Sequence, residues 1–357
     1  MRKYEIIGLM SGTSMDGLDI VHVRFDQNDS NNWSFELLHA ETINYDDELV
    51  SLLSTATQLN VPHFLQLDKR LGKVFGEMVN TFIQKNKIKK SDIDAIASHG
   101  HTTHHQPHLG FTSQIGCGAT LSFITELPVI NDFRTKDVIA GGQGAPLVPI
   151  GDLLLFNSQA DSFLNIGGIA NISFIQNGEM IAYDICPGNL PLNKLAVSKG
   201  MTYDKNGELA ASGEINFFLL DLLNSLEFYS ETNPKSLGTE WLELHFYPLI
   251  KFDKDIENNL RTVIEHEASQ LANALNQNNL KSVFMTGGGV KNKFFIDRIK
   301  HYYKGEIIIP SEEIIDFKEA IIFALLGALY LAKETNTIAT VTGASKNVIG
   351  GVLHLPD

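Results

Sequence analysis

Short apolar runs broken by glycine-rich bends alternate with longer stretches of helical apolar spacing along the whole chain. In the first half the pattern predicts strands at Glu5 to Leu9, Asp19 to Arg24 and Phe35 to Thr42, then helices near Glu48 to Thr57 and Phe64 to Lys87. The runs Ile93 to Ser98 and Val129 to Asp132 supply two later strands, with a helix near Ala119 to Thr125 between them. The second half opens the same way. Ser162 to Ile185 reads as three strands punctuated by Gly167-Gly168 and Asn177-Gly178, and helices follow near Leu190 to Lys199, Ile215 to Leu226 and Leu260 to Leu275. SVFMTGGGVKN is a strand ending at three glycines, after which come the run IIIP and a final long helix. The order of elements recurs, so the expected class is α/β with two domains, 1–133 plus 345–357 and 134–344.

Met10 to Val23 holds the densest candidate chemistry: MSGTSMDGLDIVHV sets a hydroxyl-rich glycine bend with two aspartates between two apolar strands. Gly12 and Gly17 permit close backbone approach, and successive turn N–H groups form a nest for an anion. Ser11, Thr13 and Ser14 add hydroxyl donors for phosphate oxygens, while Asp16 and Asp19 suit a hydrated magnesium ion. A plain hairpin bend is the competing reading. NIGGIAN, with Asn165, Gly167, Gly168 and Asn171, holds the equivalent strand-loop-strand place in the second half. Gly287, Gly288 and Gly289 end a later strand, at the edge where α/β folds place ligands. There is no G-x-x-x-x-G-K-[ST] and no G-x-G-x-x-G after the first strand, which disfavours a Walker-type or dinucleotide site.

Composition narrows the classes. A chain of 357 residues with formal charge -14 and no basic stripe is a poor partner for nucleic acid or an anionic membrane. Cys117 and Cys186 form no CxxC pair and no disulfide framework, which points to a reducing compartment. The amino terminus does not resemble a signal peptide, and the apolar segment Ala320 to Ala332 falls short of the roughly 18 to 20 residues that span a bilayer. A cytoplasmic protein with a buried final helix is expected.

Over nearly its whole length the chain resembles the anhydro-N-acetylmuramic acid kinase family, within the ATPase superfamily of actin, hexokinase and the heat-shock chaperones. The resemblance rests on MSGTSMDGLD, SHGHTTHHQP, TSQIG, NDFRTKDVIAGGQGAPLVP, NIGGIANIS, YDICPGN, PKSLG, TGGGVKN and KEAIIFALLG. It implies two RNase H-like (actin-like ATPase) domains around an interdomain cleft, ATP and Mg2+ as cofactors, an amino-sugar substrate and a homodimer. Residues Gly12, Thr13, Ser14, Met15, Asp16, Gly17, Leu18 and Asp19 inherit phosphate binding, with Asp16 a candidate for magnesium contact through water. In the implied reaction, water attacks C1 of 1,6-anhydro-N-acetylmuramic acid, the ring opens, and the released O6 takes the γ-phosphoryl group, giving N-acetylmuramic acid 6-phosphate and ADP. Asp184 matches the family's base in Asp-x-x-Pro-Gly-Asn, and Glu319 matches a glutamate that orients the water or the magnesium shell. A first-turn helix-dipole role for Glu319 is the plain alternative.

Further sugar contacts are expected at His99, His101, Thr120, Arg134, Gln143 and Gly144, and at Pro187, Gly188 and Asn189 of the same motif as the base. Arg134 suits the lactyl carboxylate, a phosphate or an ordinary salt bridge. The cluster His99, His101, His104, His105 and His108 has the density of a zinc site but no cysteine partners and no HExxH. Under the resemblance, His99 and His101 line the sugar side and the others are exposed loop residues. The chain departs from the family pattern at His101, Ile185, Cys186, Asn193, Leu237 and Thr239. Two other functions fit the same cleft: an ordinary sugar kinase acting on a free hydroxyl, and a nucleotide-switched binding protein. Domain closure is expected to hinge near Asn131 to Lys136 and Thr342 to Lys346.

Overall fold

The amino-terminal apolar run extends in both directions into a ten-residue strand, β1 (Arg2–Ser11), whose Ile6, Ile7 and Leu9 are fully buried. In the computed structural model, which describes residues 2–12, 15–29, 32–231, 235–252 and 254–356, it is the centre of the first sheet. Thr13 and Ser14 lie outside the described residues. On one side β1 pairs antiparallel with β2 (Gly17–Gln27), which pairs antiparallel with β3 (Trp33–Asn44). On the other it runs parallel to β4 (Ala95–Gln106), to which β5 (Phe111–Ile115) returns as a hairpin and β6 (Val129–Asn131) runs parallel.

The second sheet repeats this plan. Its β7 (Ser162–Ile166) pairs antiparallel with β8 (Ile169–Gln176), β8 antiparallel with β9 (Glu179–Pro187), β7 parallel with β10 (Ser282–Thr286), and β10 parallel with β11 (Glu306–Ile308). The neighbour order 3-2-1-4-6 of the first sheet is therefore matched by 9-8-7-10-11, with the same sense at every pairing. A last strand, β12 (Val352–His354), adds antiparallel to β6.

Helices cover both faces of the first sheet, which is why its strands read as nearly continuous apolar runs. Asn60 caps the helix Val61–Lys85 by accepting from the His63 N–H at 3.1 Å, and Leu67, Leu71, Phe75, Val79 and Phe82 bury its inner stripe. From Phe317 onward, the helix Glu312–Ala332 packs on the same unit, and it is apolar all round because it is buried. Small residues bring it close. A Cβ at Gly8 would collide with the Ala320 carbonyl oxygen, and one at Gly327 would stand 2.6 Å from the Ala97 Cβ. In the second unit, Leu260, Val263, Ile264, Leu271 and Leu275 of the helix Ile256–Gln277 join the core formed with β7, β8 and β10.

The chain groups into two compact units, Met1–Leu155 with Phe317–Asp357, and Phe156–Asp316. This differs from the division expected at 133/134 and 344/345, because the packing of the long helix on Gly8 and Ala97 keeps 317–344 with the first unit. Residues 134–155 stay there too: Gly151 abuts Ile322, and the buried carboxylate of Asp152 meets Lys318 at 2.6 Å. No helix among the described residues is long and apolar enough to cross a membrane.

Candidate active site

In the first unit, the carboxyl ends of β1 and β4 open onto a pocket of about 460 Å³ lined by Met10, Ser11, Gly12, His99, Thr102, His105, Arg134, Ala145 and Glu319. Arg134 is its cation. Its Nη1 donates to the Gly144 carbonyl at 2.7 Å, and its Nε and Nη2 lie 3.2 and 2.9 Å from His99 Nε2. All of these acceptors are neutral. Burial pushes the guanidinium down to about 10, partly offset by Glu319 and Asp137, so it remains charged at neutral pH. Asp137 holds the loop beneath: it accepts from the Gly144 N–H at 2.8 Å and from the Thr342 hydroxyl at 2.8 Å. Glu319 stands two turns into its helix rather than in the first turn, so the helix-dipole account of it does not apply. Surrounding protein raises its carboxyl above the usual range, against the pull of Arg134 and Lys318.

The loop after β1 divides by role. Gly12 lines the pocket, and Met15 N–H closes a turn onto the Gly12 carbonyl at 3.2 Å. Asp16 is exposed. Gly17 and Leu18, expected at the phosphate, belong to β2 instead: a Cβ at Gly17 would lie 2.6 Å from the Ile43 carbonyl oxygen, and Leu18 is in the core. Asp19 is half-buried and accepts from Thr42 Oγ1 at 2.5 Å. Ser11 is tied down by the Tyr45 hydroxyl at 2.7 Å and by His101 Nδ1 at 3.0 Å.

His99, His101, His104 and His105 sit on the extended β4 rather than in a loop, because pairing with β5 carries the strand on to Gln106. His104 is half-buried, while His105 and, in the following turn, His108 are exposed. Among the described residues, no group of three or more His, Cys, Asp or Glu is placed to hold a metal. Thr120 lies in the helix Gly118–Thr125, not on a loop, near the position a Cβ at Gly72 would take. Gln143 is exposed, its N–H bonded to the Thr342 carbonyl at 2.7 Å.

In the second unit, Asp184 stands on β9 opposite Asn171 of β8, at a register shift that leaves Ile185 as the extra residue. The chain at 235–237 straps it from both ends: the Asp184 N–H donates to the Lys235 carbonyl at 3.0 Å, and Oδ2 accepts from the Leu237 N–H at 2.8 Å. Among the described residues, Oδ1 accepts no hydrogen bond. Burial raises this carboxyl above its ordinary value, against the lowering effect of the Leu237 N–H. A carboxylate with one oxygen fixed, one free and a raised affinity for protons has the attributes of a general base.

Three glycine-rich turns converge beside it. Gly188 and Asn189 donate backbone N–H bonds to the Gly168 and Gly167 carbonyls at 2.9 and 2.8 Å, and Asn189 Nδ2 reaches the Ile166 carbonyl at 3.2 Å. Gly287 adopts φ +85, and a Cβ there would stand 2.6 Å from the same Ile166 carbonyl. A Cβ on Gly289 would collide with Ile166, so Gly287 and Gly289 serve backbone packing. Gly288 and Asn189 instead line a pocket of about 490 Å³, with Leu192, Leu260 and Ile264 as apolar wall and Tyr203, Asn206 and Lys291 as polar rim. Pro187 is buried at the end of β9, and Asn165 sits between its pairs Asn171 and Thr286.

The sequence pattern of the anhydro-N-acetylmuramic acid kinase family matches residues 4–356. The chain belongs to that family. An anhydro-N-acetylmuramic acid kinase of Coxiella burnetii (strain Dugway 5J108-111) is 35% identical, covering 99% of this chain and 98% of its own length. One from Legionella pneumophila (strain Paris) is 33% identical, covering 98% and 97%. Among solved structures, the ADPNP-bound activator of the 2-hydroxyisocaproyl-CoA dehydratase from Clostridium difficile aligns at TM-score 0.44 and 15% identity, over 92% of this chain and 96% of that one. A likeness of that depth says nothing of the reaction.

As a member of the anhydro-N-acetylmuramic acid kinase family, the protein is a kinase. Its departures from the family pattern fall into buried and exposed sets. Ile185, Cys186 and Leu237 are buried around Asp184, and burial beside Glu267 and Asp184 pushes the Cys186 thiol well up. Thr239 and Asn193 are exposed, Asn193 on the 490 Å³ pocket. Several site residues escaped the sequence reading. Asp137 and the strap at 235–237 lie inside motifs quoted for the family, so a signal was present, whereas Tyr45, Tyr203 and Asn206 carry none.

Proposed function

We propose that this kinase opens the 1,6-anhydro ring of 1,6-anhydro-N-acetylmuramic acid with water and phosphorylates O6 from ATP, giving N-acetylmuramic acid 6-phosphate and ADP. The observation that carries the reading is Asp184, half-buried on β9 with Oδ2 held by Leu237 and with no hydrogen bond to Oδ1 among the described residues. Oδ1 takes a proton from water as the water oxygen bonds to C1. The C1–O6 bond breaks, its electron pair stays on O6, and O6 attacks the γ-phosphorus as ADP leaves. Arg134 supplies positive charge for an anionic group of the substrate, since among the described residues only neutral groups accept its hydrogen bonds. Glu319 lies in the same pocket, suited to orient water or a metal-bound water.

The 490 Å³ pocket of the second unit has the apolar wall and sparse polar rim that suit a nucleoside, with Gly288 allowing close approach. Magnesium would arrive with the nucleotide, keeping most of its waters, and the exposed carboxylate of Asp16 is of the chemistry that suits that shell.

Purified protein with ATP, magnesium and the anhydro sugar is expected to yield a product heavier than the sugar by one water and one phosphoryl group. Free N-acetylmuramic acid should be a poor acceptor. Efficient phosphorylation of the free sugar, with no reaction of the anhydro form, would favour an ordinary hydroxyl kinase instead.

A further inference from the structure

His99 is buried, with both ring nitrogens already engaged inside the protein. Nδ1 lies 2.9 Å from the Gly100 carbonyl, and Nε2 faces Nε and Nη2 of Arg134. A guanidinium only donates, so Nε2 must carry the lone pair and Nδ1 the hydrogen it gives to Gly100. The tautomer is fixed by its partners, and the ring is neutral. The Phe323 ring packs against both, its centroid 4.5 Å from the imidazole centroid and 5.9 Å from the guanidinium carbon. Among the described residues, no carboxylate lies within ion-pair distance of Arg134, although Glu319 and Asp137 influence it from farther away. Of the five guanidinium N–H groups, three are used on neutral acceptors and two have no acceptor among the described residues.

We propose that His99 is a positioning residue: as a neutral acceptor locked by Gly100, it presents the two unused N–H groups of Arg134 to an oxyanion of the substrate, and does not itself bond the sugar. The inference rests on the kinase reading for its substrate, but the geometry of the His99–Arg134 pair does not. That oxyanion is either the lactyl carboxylate of the sugar or the phosphoryl group in transfer.

Two measurements test the proposal. Long-range nitrogen–proton NMR of the uniformly labelled protein at neutral pH, without substrate, should assign His99 as the neutral Nδ1–H form, using His99→Gln to identify its signal. An Nε2–H or charged ring would overturn the proposal whatever the enzyme's substrate. Kinetics of His99→Leu and His99→Gln should then be compared on the anhydro sugar and on its analogue lacking the lactyl group. His99→Leu should lose about 10- to 100-fold, the range for a lost hydrogen bond to a charged group. His99→Gln, whose amide oxygen still accepts from Arg134, should recover most of it. If Arg134 binds the lactyl carboxylate, the loss is in KM and only for the lactyl sugar. If it serves the phosphoryl group, the loss is in kcat and equal for both. Equal impairment of the two variants, or no impairment in either, would overturn the positioning role.

Discussion

Asp184→Asn is expected to lower kcat by about 100- to 10,000-fold, the usual contribution of a general base, with little change in the KM for either substrate. The amide is a fair test because its carbonyl oxygen can still accept from the Leu237 N–H, which leaves the strap at 235–237 in place. What it lacks is an oxygen able to take a proton. In the parent enzyme, burial raises the Asp184 carboxyl, so the ionised form is lost at a higher pH than for an exposed aspartate. The acid limb of the kcat profile should therefore lie above the ordinary value of 3.8 and disappear in the variant. Steady-state kinetics between pH 4 and 8, with circular dichroism to confirm folding, would check both. A variant that turns over at the parent rate removes Asp184 from the chemistry.

Arg134→Met should cost about 2–5 kcal/mol in kcat/KM, roughly 30-fold to several thousand-fold, as expected when one member of a desolvated charge pair is removed. Methionine fills similar volume, so Phe323 and the Gly144 loop keep their packing. Arg134→Lys retains the charge but not the fork that reaches both His99 and Gly144, and should recover only part of the loss. Comparing the lactyl sugar with its analogue shows which anion Arg134 meets. An Arg134→Met enzyme with unchanged kcat/KM on the lactyl sugar would contradict the assignment.

The duplicated strand order was legible because turn chemistry at Gly167-Gly168 and Asn177-Gly178 marks the hairpins, and both hairpins form. The candidate base, Asp184, is singled out through its match to the family's Asp-x-x-Pro-Gly-Asn motif, and it lies on β9 as the strand pattern predicts. Local pattern failed where tertiary pairing decided the outcome. β4 runs past Ser98 because β5 satisfies its backbone, and Phe111 to Ile115 alone carries too little apolar alternation to announce a strand. Gly17 and Leu18 are expected at the phosphate because the resemblance assigns it the whole stretch from Gly12 to Asp19; pairing of Gly17 with Asn44 and of Leu18 with Ile43 puts both in the sheet. His99 shows the deepest limit. The resemblance places it among the sugar contacts, and nothing in the local sequence signals that Arg134, 35 positions away, reaches its Nε2.

The central claim is that water attacks C1 and frees O6 for phosphorylation. Reaction in 18O-labelled water, followed by mass analysis of fragments that separate C1 from O6, tests it most directly. The account predicts one labelled oxygen at C1 and none in the O6–phosphorus bridge or the transferred phosphoryl group. Label in the phosphate, or a phosphorylated product with unlabelled C1 oxygen recovered before anomeric exchange, would contradict it.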